Sequence, residues 1–233
     1  MNRDQVLKEM GLGPIWKLRQ PPRKKRGAPA APDAAAPVDE RTAAIAAMGW
    51  DELRQAVASC TACELCKTRK QAVLGVGDVD ADWLFVGEGP GAEEDERGEP
   101  FVGQAGKLLD AMLAAIDLKR GNKVYIANAV KCRPPGNRTP EPGETAACWP
   151  FLARQIELIG PRLIVTLGKP AAQTLLQQEV KIADARGQVH DFAGLPLIVT
   201  YHPAYLLRNL PDKAKAWEDL CFMRRTMGAP GGL

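Results

Sequence analysis

The segment from Trp83 to Phe101, WLFVGEGPGAEEDERGEPF, constrains the fold of this chain more than any other stretch. It opens with four consecutive apolar residues, which is the length and composition of a buried strand. Gly87, Gly89 and Gly91 follow around a proline, and such residues end a strand in a tight loop. In open α/β sheets, ligands bind outside the carboxyl ends of the strands. The segment therefore predicts a ligand-binding loop at a strand end, with a plain strand-to-helix turn as the alternative.

This loop is acidic. Glu88 stands among the glycines, and Glu93, Glu94 and Asp95 follow shortly after them. Such a rim would repel a polyanion, and the Lys-Ser/Thr ending of a P-loop is missing. The pattern therefore argues against a phosphate cradle.

Further apolar runs alternate with segments of helical periodicity. We expect strands over 83–86, 123–130, 162–167 and 195–200, and helices over 41–58, 103–117, 141–159, 170–178 and 211–227. This alternation predicts a parallel sheet covered on both faces. The expected fold class is α/β, a three-layer α/β/α sandwich with a central four-stranded, mainly parallel sheet. Strand ends then meet at one edge and bring Glu88, Asn128 and His202 together.

Composition excludes several classes of protein. The net charge of +3 over 233 residues does not by itself demand a nucleic-acid partner. No run approaches the ~20 apolar residues of a membrane span, and the charged N-terminus lacks the apolar core of a signal peptide. We therefore expect a cytoplasmic protein without a membrane partner. Its six cysteines are then metal ligands or core residues rather than disulfides.

Residues 1–40 differ in composition from residues 41–233, which we expect to form the folded domain. A short N-terminal helix precedes six basic residues between positions 17 and 26, and an Ala/Pro-rich linker follows that cannot bury a core. The basic run is a disordered tether, a tail with non-specific affinity for nucleic acid, or a docking peptide for a protein partner. Ile15 and Trp16 would anchor such a peptide. The sequence leaves these interpretations open.

The cysteines suggest a metal centre. Cys60 and Cys63 have the spacing that two thiolates need to reach one centre, and Cys66 follows closely. Cys132 and Cys148 lie far downstream, beside loops or helix starts, from which both could reach it. Four thiolates suit a structural zinc or a [4Fe–4S] cluster, and spacing alone does not separate the two. The alternative is a set of buried free thiols.

Two polar segments lie at or beyond the ends of predicted strands. Asn128 can offer a donor and an acceptor to one ligand edge, although it can equally be a turn former. The adjacent run at 131–138, KCRPPGNR, is basic and stiff, as a clamp for backbone phosphates would be. His202 could donate a hydrogen bond to developing negative charge, or be merely structural.

A pair of leucines follows His202. Leu206 and Leu207, beside Arg208, are expected in an exposed loop, where apolar side chains can act as wedges between DNA bases. Packing against the following helix is the alternative.

Three blocks taken together are far more specific than any one of them: GEGPGAEEDERGEPFVGQAGKLL, NAVKCRPPGNRTPEPGE followed by a cysteine, and HPAYLLR. In this order they resemble the bacterial and archaeal family 4 uracil-DNA glycosylases, which are iron–sulfur members of the uracil-DNA glycosylase superfamily. The resemblance covers roughly residues 60–225. It implies an enzyme of base excision repair that flips deoxyuridine out of DNA, hydrolyses its N-glycosidic bond and releases uracil. It also implies uracil-containing DNA as the partner, and we expect a monomer.

The resemblance assigns roles around the base. Glu88 would orient or deprotonate the attacking water, and His202 would stabilise the uracil anion together with N–H groups of the glycine loop. Phe101 would stack on the uracil ring, and Asn128 would read its Watson–Crick edge. Glu94 would crowd the pyrimidine C5 position and exclude thymine.

The resemblance also implies DNA contacts. Arg133, Arg138 and Arg208 would hold phosphates, and Leu206 or Leu207 would fill the gap left in the base stack.

The four ligands of a structural [4Fe–4S] cluster would be Cys60, Cys63, Cys132 and Cys148. Cys66 is extra to the family pattern, so 63/66 competes with 60/63 as the first pair, and the spacing to the glycine loop favours 60/63.

Other classes of function stay open at this point. A non-catalytic iron–sulfur or zinc protein that binds DNA as an accessory factor would bind without releasing uracil. An electron-transfer protein would need a reversible cluster. A related branch of the superfamily forms a covalent adduct with DNA and carries Gln in its first loop. Gly89 stands here instead, so we expect ordinary turnover.

Overall fold

The computed structural model describes residues 39–228, which belong to one compact unit that starts at Asp39. A six-stranded sheet with the order β1-β3-β2-β4-β6-β5 forms its centre. The strands are β1 (Val76–Gly77), β2 (Trp83–Gly87), β3 (Val124–Asn128), β4 (Leu163–Leu167), β5 (Val189–Phe192) and β6 (Leu195–Thr200). The four inner strands are parallel, and β1 and β5 pair antiparallel at the edges.

The predicted α/β fold with a central, mainly parallel sheet is confirmed, with two more strands than expected. All four predicted strands are the inner ones. β1 has only two residues, and β5, with the sequence VHDF, has no apolar run. Neither edge strand therefore shows the pattern of a buried strand.

The helices are α1 (Glu40–Ala47), α2 (Trp50–Ala58), α3 (Ala92–Arg97), α4 (Gln104–Ala114), α5 (Pro142–Ile159), α6 (Lys169–Leu176), α7 (Ile182–Ala185), α8 (Pro203–Arg208) and α9 (Lys213–Gly228). The single helix expected over 41–58 is wrong, because the chain leaves helical geometry at Met48 and Gly49. Gly49 is extended and caps α2. None of the described helices is long and apolar enough to cross a membrane.

The sheet is covered on both faces, as the apolar runs of its inner strands require. Along β2, Trp83 and Phe85 face one core and Leu84 and Val86 face the other. The first core includes residues of α4 and α9, and the second includes residues of α5 and α6. A third cluster joins α1, α2 and α5 beside the cysteines. The chain thus forms the expected three layers.

The register of the sheet positions the strand ends. Gly87 at the end of β2 pairs with Asn128 at the end of β3, and Leu167 of β4 pairs with Thr200 of β6. The four parallel strands therefore end at one edge, where their loops can share a ligand.

Candidate active site

A cleft of about 690 Å³ opens at this edge. The predicted site residues that line it are Glu88, Gly89, Gly91, Glu94, Phe101, Asn128, Arg138, His202 and Arg208. The carboxylate, the amide and the imidazole that we expected to meet therefore do surround one cleft, although they come from three separate strand ends.

Asn128 presents an unsatisfied acceptor to this cleft. Its side chain is 2% exposed, and its Oδ1 is buried without a hydrogen-bond partner. Leaving such a group unpaired costs about 1–3 kcal/mol, which a ligand N–H would relieve. Gly87 makes the arrangement possible, since a Cβ there would lie 2.4 Å from Asn128 Oδ1 and 2.6 Å from Phe101 Cζ.

Phe101 forms an apolar wall of the cleft. Its backbone adopts a φ of +55°, and its ring stacks on the imidazole of His202 with centroids 5.5 Å apart. Arg120 fastens the segment by donating to the carbonyl oxygens of Pro100 and Phe101 at 2.9 and 2.8 Å. The wall is thus held from behind by charge-assisted bonds.

His202 is oriented by its own helix. Its Nδ1 accepts a hydrogen bond from the N–H of Ala204 at 3.1 Å at the start of α8. Burial, and then the nearby Arg208 guanidinium, lower the pKa of His202 to about 4. The imidazole is therefore neutral near pH 7, and its proton resides on Nε2, which can donate to a ligand. Gly168, at φ +92°, allows the chain to approach His202 closely.

Glu88 is partly buried where the glycine loop leaves β2. Burial raises the pKa of this carboxyl above its usual value, and a hydrogen bond with the Thr139 side chain opposes the shift. A carboxylate with a raised pKa suits proton transfer from water.

Glu94 is engaged by the loop itself. Its carboxylate accepts hydrogen bonds from the N–H groups of Gly91, Val102 and Gly103 at 3.1, 2.9 and 3.2 Å. It thereby caps α3, a short helix that the sequence did not predict, and ties it to the chain beyond Phe101. Crowding of a pyrimidine C5 position stays a prediction.

The predicted phosphate contacts differ in their surroundings. Arg208 is exposed at the rim of the cleft. Arg138 forms a bidentate ion pair with the buried Glu144 at 2.7 and 2.9 Å, so its guanidinium already has an anion. Arg133 donates to Asn137 Oδ1 at 2.7 Å and does not line the cleft.

The expectation that both leucines lie in an exposed loop is wrong. They belong to α8, and Leu206 is 1% exposed within the core that contains α9. Leu207, 41% exposed, is the one available as a wedge. Pro203 occupies the first position of this helix, where the fixed φ of proline favours helix initiation.

Two tyrosines and a lysine that were not predicted as site residues also line the cleft. Tyr201 and Tyr205 stack on each other with centroids 5.2 Å apart, and Lys169 adds a cation after β4. The signal for Lys169 was its place directly after a strand and a glycine at the same sheet edge.

The cysteines line a separate small cavity. Cys60, Cys63, Cys66, Cys132 and Cys148 all border it, together with Arg69 and Lys131. Within residues 39–228, no three Cys, His, Asp or Glu side chains converge as ligands of a single metal ion.

The sulfurs are surrounded by donors. Arg69 donates to Cys132 Sγ at 3.0 Å, and the backbone N–H of Lys131 donates to Cys148 Sγ at 3.2 Å. Burial raises the pKa of the Cys132 thiol and raises that of Cys148 to about 11, whereas these donors favour the thiolate. Buried thiols ringed by N–H donors fit a thiolate-bound, anionic group.

Comparison with known proteins identifies relatives of the chain. Residues 74–221 match the model of the uracil DNA glycosylase superfamily. The chain is 50% identical over 161 residues to the type-4 uracil-DNA glycosylase of Thermotoga maritima, covering 68% of this chain and 83% of that protein. The type-4 enzyme of Archaeoglobus fulgidus is 45% identical, with 67% and 82% covered. That of Pyrobaculum aerophilum is 41% identical, with 74% and 92% covered.

Proposed function

This chain belongs to the uracil DNA glycosylase superfamily and, within it, to the type-4 enzymes, and we infer that it excises uracil from DNA. The resemblance that the sequence blocks suggested is confirmed. The reaction hydrolyses the N-glycosidic bond of deoxyuridine and leaves an abasic site for base excision repair. The observation that carries the proposal is the convergence of Glu88, Asn128 and His202 on one cleft. A non-catalytic accessory protein would have no need of it.

We propose that the cleft receives a flipped uracil, because a base inside the duplex is out of reach. The ring would stack on Phe101. Asn128 Oδ1, which lacks a partner, would accept from uracil N3–H, and its amide group would donate to the adjacent carbonyl. Thymine differs from uracil only by the C5 methyl group, so its exclusion must be steric, and Glu94 is our candidate for that role.

Bond cleavage leaves negative charge on the uracil and positive charge on the sugar. His202 would stabilise the uracil anion through Nε2–H, and being neutral it can donate without transferring its proton. A well-placed donor of this kind contributes about 3–4 kcal/mol. The N–H of Gly89 in the glycine loop would add to it, whereas that of Gly91 already donates to Glu94.

Glu88 would then direct water to the sugar cation. Its ionised carboxylate can orient the water, accept its proton and balance the sugar's positive charge. Among the exposed cations, Arg208 is the best candidate for a backbone phosphate, and Leu207 for the gap in the base stack.

We propose that Cys60, Cys63, Cys132 and Cys148 hold a [4Fe–4S] cluster. Its contribution when bound is to cross-link the helices and loops around the third core cluster, whose members include two of these cysteines. Cys66 borders the same cavity, so the choice between the 60/63 and 63/66 pairs remains a matter for mutagenesis.

A uracil-release assay tests the proposal directly. Purified protein is incubated with single- and double-stranded DNA that contains uracil, and abasic sites are revealed by alkali. We expect strand cleavage by the wild type and at least a 100-fold loss in Glu88→Ala and in His202→Ala, as is typical of removing such groups. Binding without uracil release would support the accessory-factor alternative instead.

We propose residues 41–233 as the glycosylase domain of a monomeric enzyme that acts on chromosomal DNA in the cytoplasm. The basic run at 17–26 and its linker lie outside the described residues. If this run binds DNA, deletion of residues 1–37 lowers the slope of log affinity against log salt. An unchanged slope would leave the tether or docking-peptide interpretations.

A further inference from the structure

Lys131 is a buried ammonium that the reaction described above does not use. The residue is 1% exposed, three positions beyond Asn128. Its Nζ donates to the backbone carbonyl of Asn128 at 2.8 Å and to Gln155 Oε1. The side chain therefore folds back beneath the residue that is placed to read the base.

Burial of the Lys131 ammonium opposes folding, because it removes a charge from water. Within residues 39–228, Lys131 forms no ion pair with a carboxylate, and its charged neighbours would be the thiolates of Cys132 and Cys148 that we propose as cluster ligands. An apolar side chain of similar length would fill the same space without desolvating a charge, but it could not donate to the Asn128 carbonyl. A requirement other than packing is therefore the better explanation.

The backbone of Lys131 is held as firmly as its side chain. Its N–H donates to Cys148 Sγ at 3.2 Å, and its carbonyl accepts from the N–H of Val73 at 2.7 Å. Gln155 in turn donates to the carbonyl of Leu74 at 3.0 Å and to the hydroxyl of Tyr125 at 3.3 Å. Lys131 thus connects the cysteine cavity to the end of β3 through hydrogen bonds of both its backbone and its side chain.

We propose that Lys131 is a positioning residue for base recognition. It holds the Asn128 peptide and so sets the direction in which the Asn128 amide meets the uracil edge. The proposal rests on the proposed function of the same cleft. It differs from a purely structural role because its effect passes through one side chain, Asn128.

A double-mutant cycle isolates that coupling. Lys131→Met preserves length and removes the charge, and we expect kcat/KM for uracil release to fall about tenfold or more, since a shift of 1 Å can cost about 100-fold. In an Asn128→Ala background the same change should cost less than about twofold. In a Glu88→Gln background it should retain its full effect. Tyr125→Phe, which removes the far end of the network, is the matched control and should stay within about twofold of wild type.

A second measurement does not depend on turnover. Fluorescence anisotropy compares binding to DNA containing 2′-fluoro-2′-deoxyuridine, which resists cleavage, with binding to the same DNA containing thymidine. The Lys131→Met variant should lose most of the wild-type preference for the uracil analogue while its affinity for the thymidine DNA is unchanged. Iron content and melting temperature, measured on the same samples, report the integrity of the fold.

The outcomes separate the two proposals. A wild type without uracil release or uracil preference overturns both of them. An active wild type with additive penalties in the Asn128→Ala background, or a Lys131→Met variant with reduced stability and full preference per folded molecule, overturns the role of Lys131 alone. If Lys131→Met does not fold, Lys131→Gln, whose shorter side chain withdraws from the carbonyl, undergoes the same cycle.

Discussion

Gly87→Ala tests how closely Asn128 and Phe101, the residues proposed to bind the base, are packed. A methyl group at this position would lie 2.4 Å from Asn128 Oδ1 and 2.6 Å from Phe101 Cζ, whereas ordinary contact begins at 3.4 Å. The Asn128 amide oxygen must therefore move by about 1 Å, because the added methyl carbon at residue 87 cannot overlap it. Gly87 does not have a positive φ, so alanine can adopt its backbone conformation and the effect is steric.

The size of the effect follows from that displacement. A misplacement of 1 Å in an active site can lower the rate about 100-fold, or ~2.7 kcal/mol in transition-state free energy. Overpacking of a buried strand end costs about 1–3 kcal/mol of stability in addition. We therefore expect kcat/KM for uracil release to fall about 100-fold, with a folded protein that still binds DNA.

Single-turnover uracil release, with thermal unfolding measured in parallel, provides the test. Gly143→Ala is the matched control, since a Cβ at Gly143 meets nothing within 4 Å and its φ is ordinary. It should retain full activity. If Gly87→Ala stays within about twofold of Gly143→Ala, then Asn128 and Phe101 do not need their present positions, and the argument from close packing is refuted.

Three further predictions concern other parts of the molecule. In the proposed reaction Glu88 acts as the carboxylate and His202 as the neutral imidazole. Burial raises the pKa of Glu88 above 4.5, and the pKa of His202 is lowered to about 4, so log(kcat/KM) should rise with pH through the pKa of Glu88 and then level off. A profile that falls with pH over that range contradicts the assignment. Cys132→Ala should lose the visible absorption and the iron of the proposed cluster, and its melting temperature should fall by about 10 °C. Cys66→Ala should keep the absorption, the iron and the melting temperature if Cys60 and Cys63 form the first ligand pair. A soluble, cluster-free, fully active Cys132→Ala would show that the cluster is dispensable. Leu207→Ala should lower activity on double-stranded DNA about tenfold more than on single-stranded DNA without a change in melting temperature, and equal losses on both would exclude a wedge.

Local pattern was sufficient where a single physical preference dominates. The apolar runs of β2, β3, β4 and β6 predicted the inner strands because strands buried on both faces are uniformly apolar. The edge strand β5 was not predicted, because its pairing depends on a neighbouring strand and not on its own composition.

The site residues likewise divide into those that local sequence pattern predicted and those that it did not. Glu88, Asn128 and His202 were predicted as candidates because each lies at or just beyond the end of a predicted strand, and parallel strands end at one edge. The buried state of Leu206 and the exposed state of Leu207 were not visible, since two adjacent leucines look alike until a helix turns one of them inward.

By itself, the sequence determined the fold class, the family and the edge of the sheet at which the candidate active site lies, because strand composition and glycine loops act over a few residues. The tertiary structure alone decided which groups are already engaged. Arg138 is paired with Glu144, Glu94 is bound to the loop, and Lys131 lies beneath Asn128. These contacts join residues that only the folded chain brings within hydrogen-bond distance, and whether a buried polar group has a partner depends on every element packed around it.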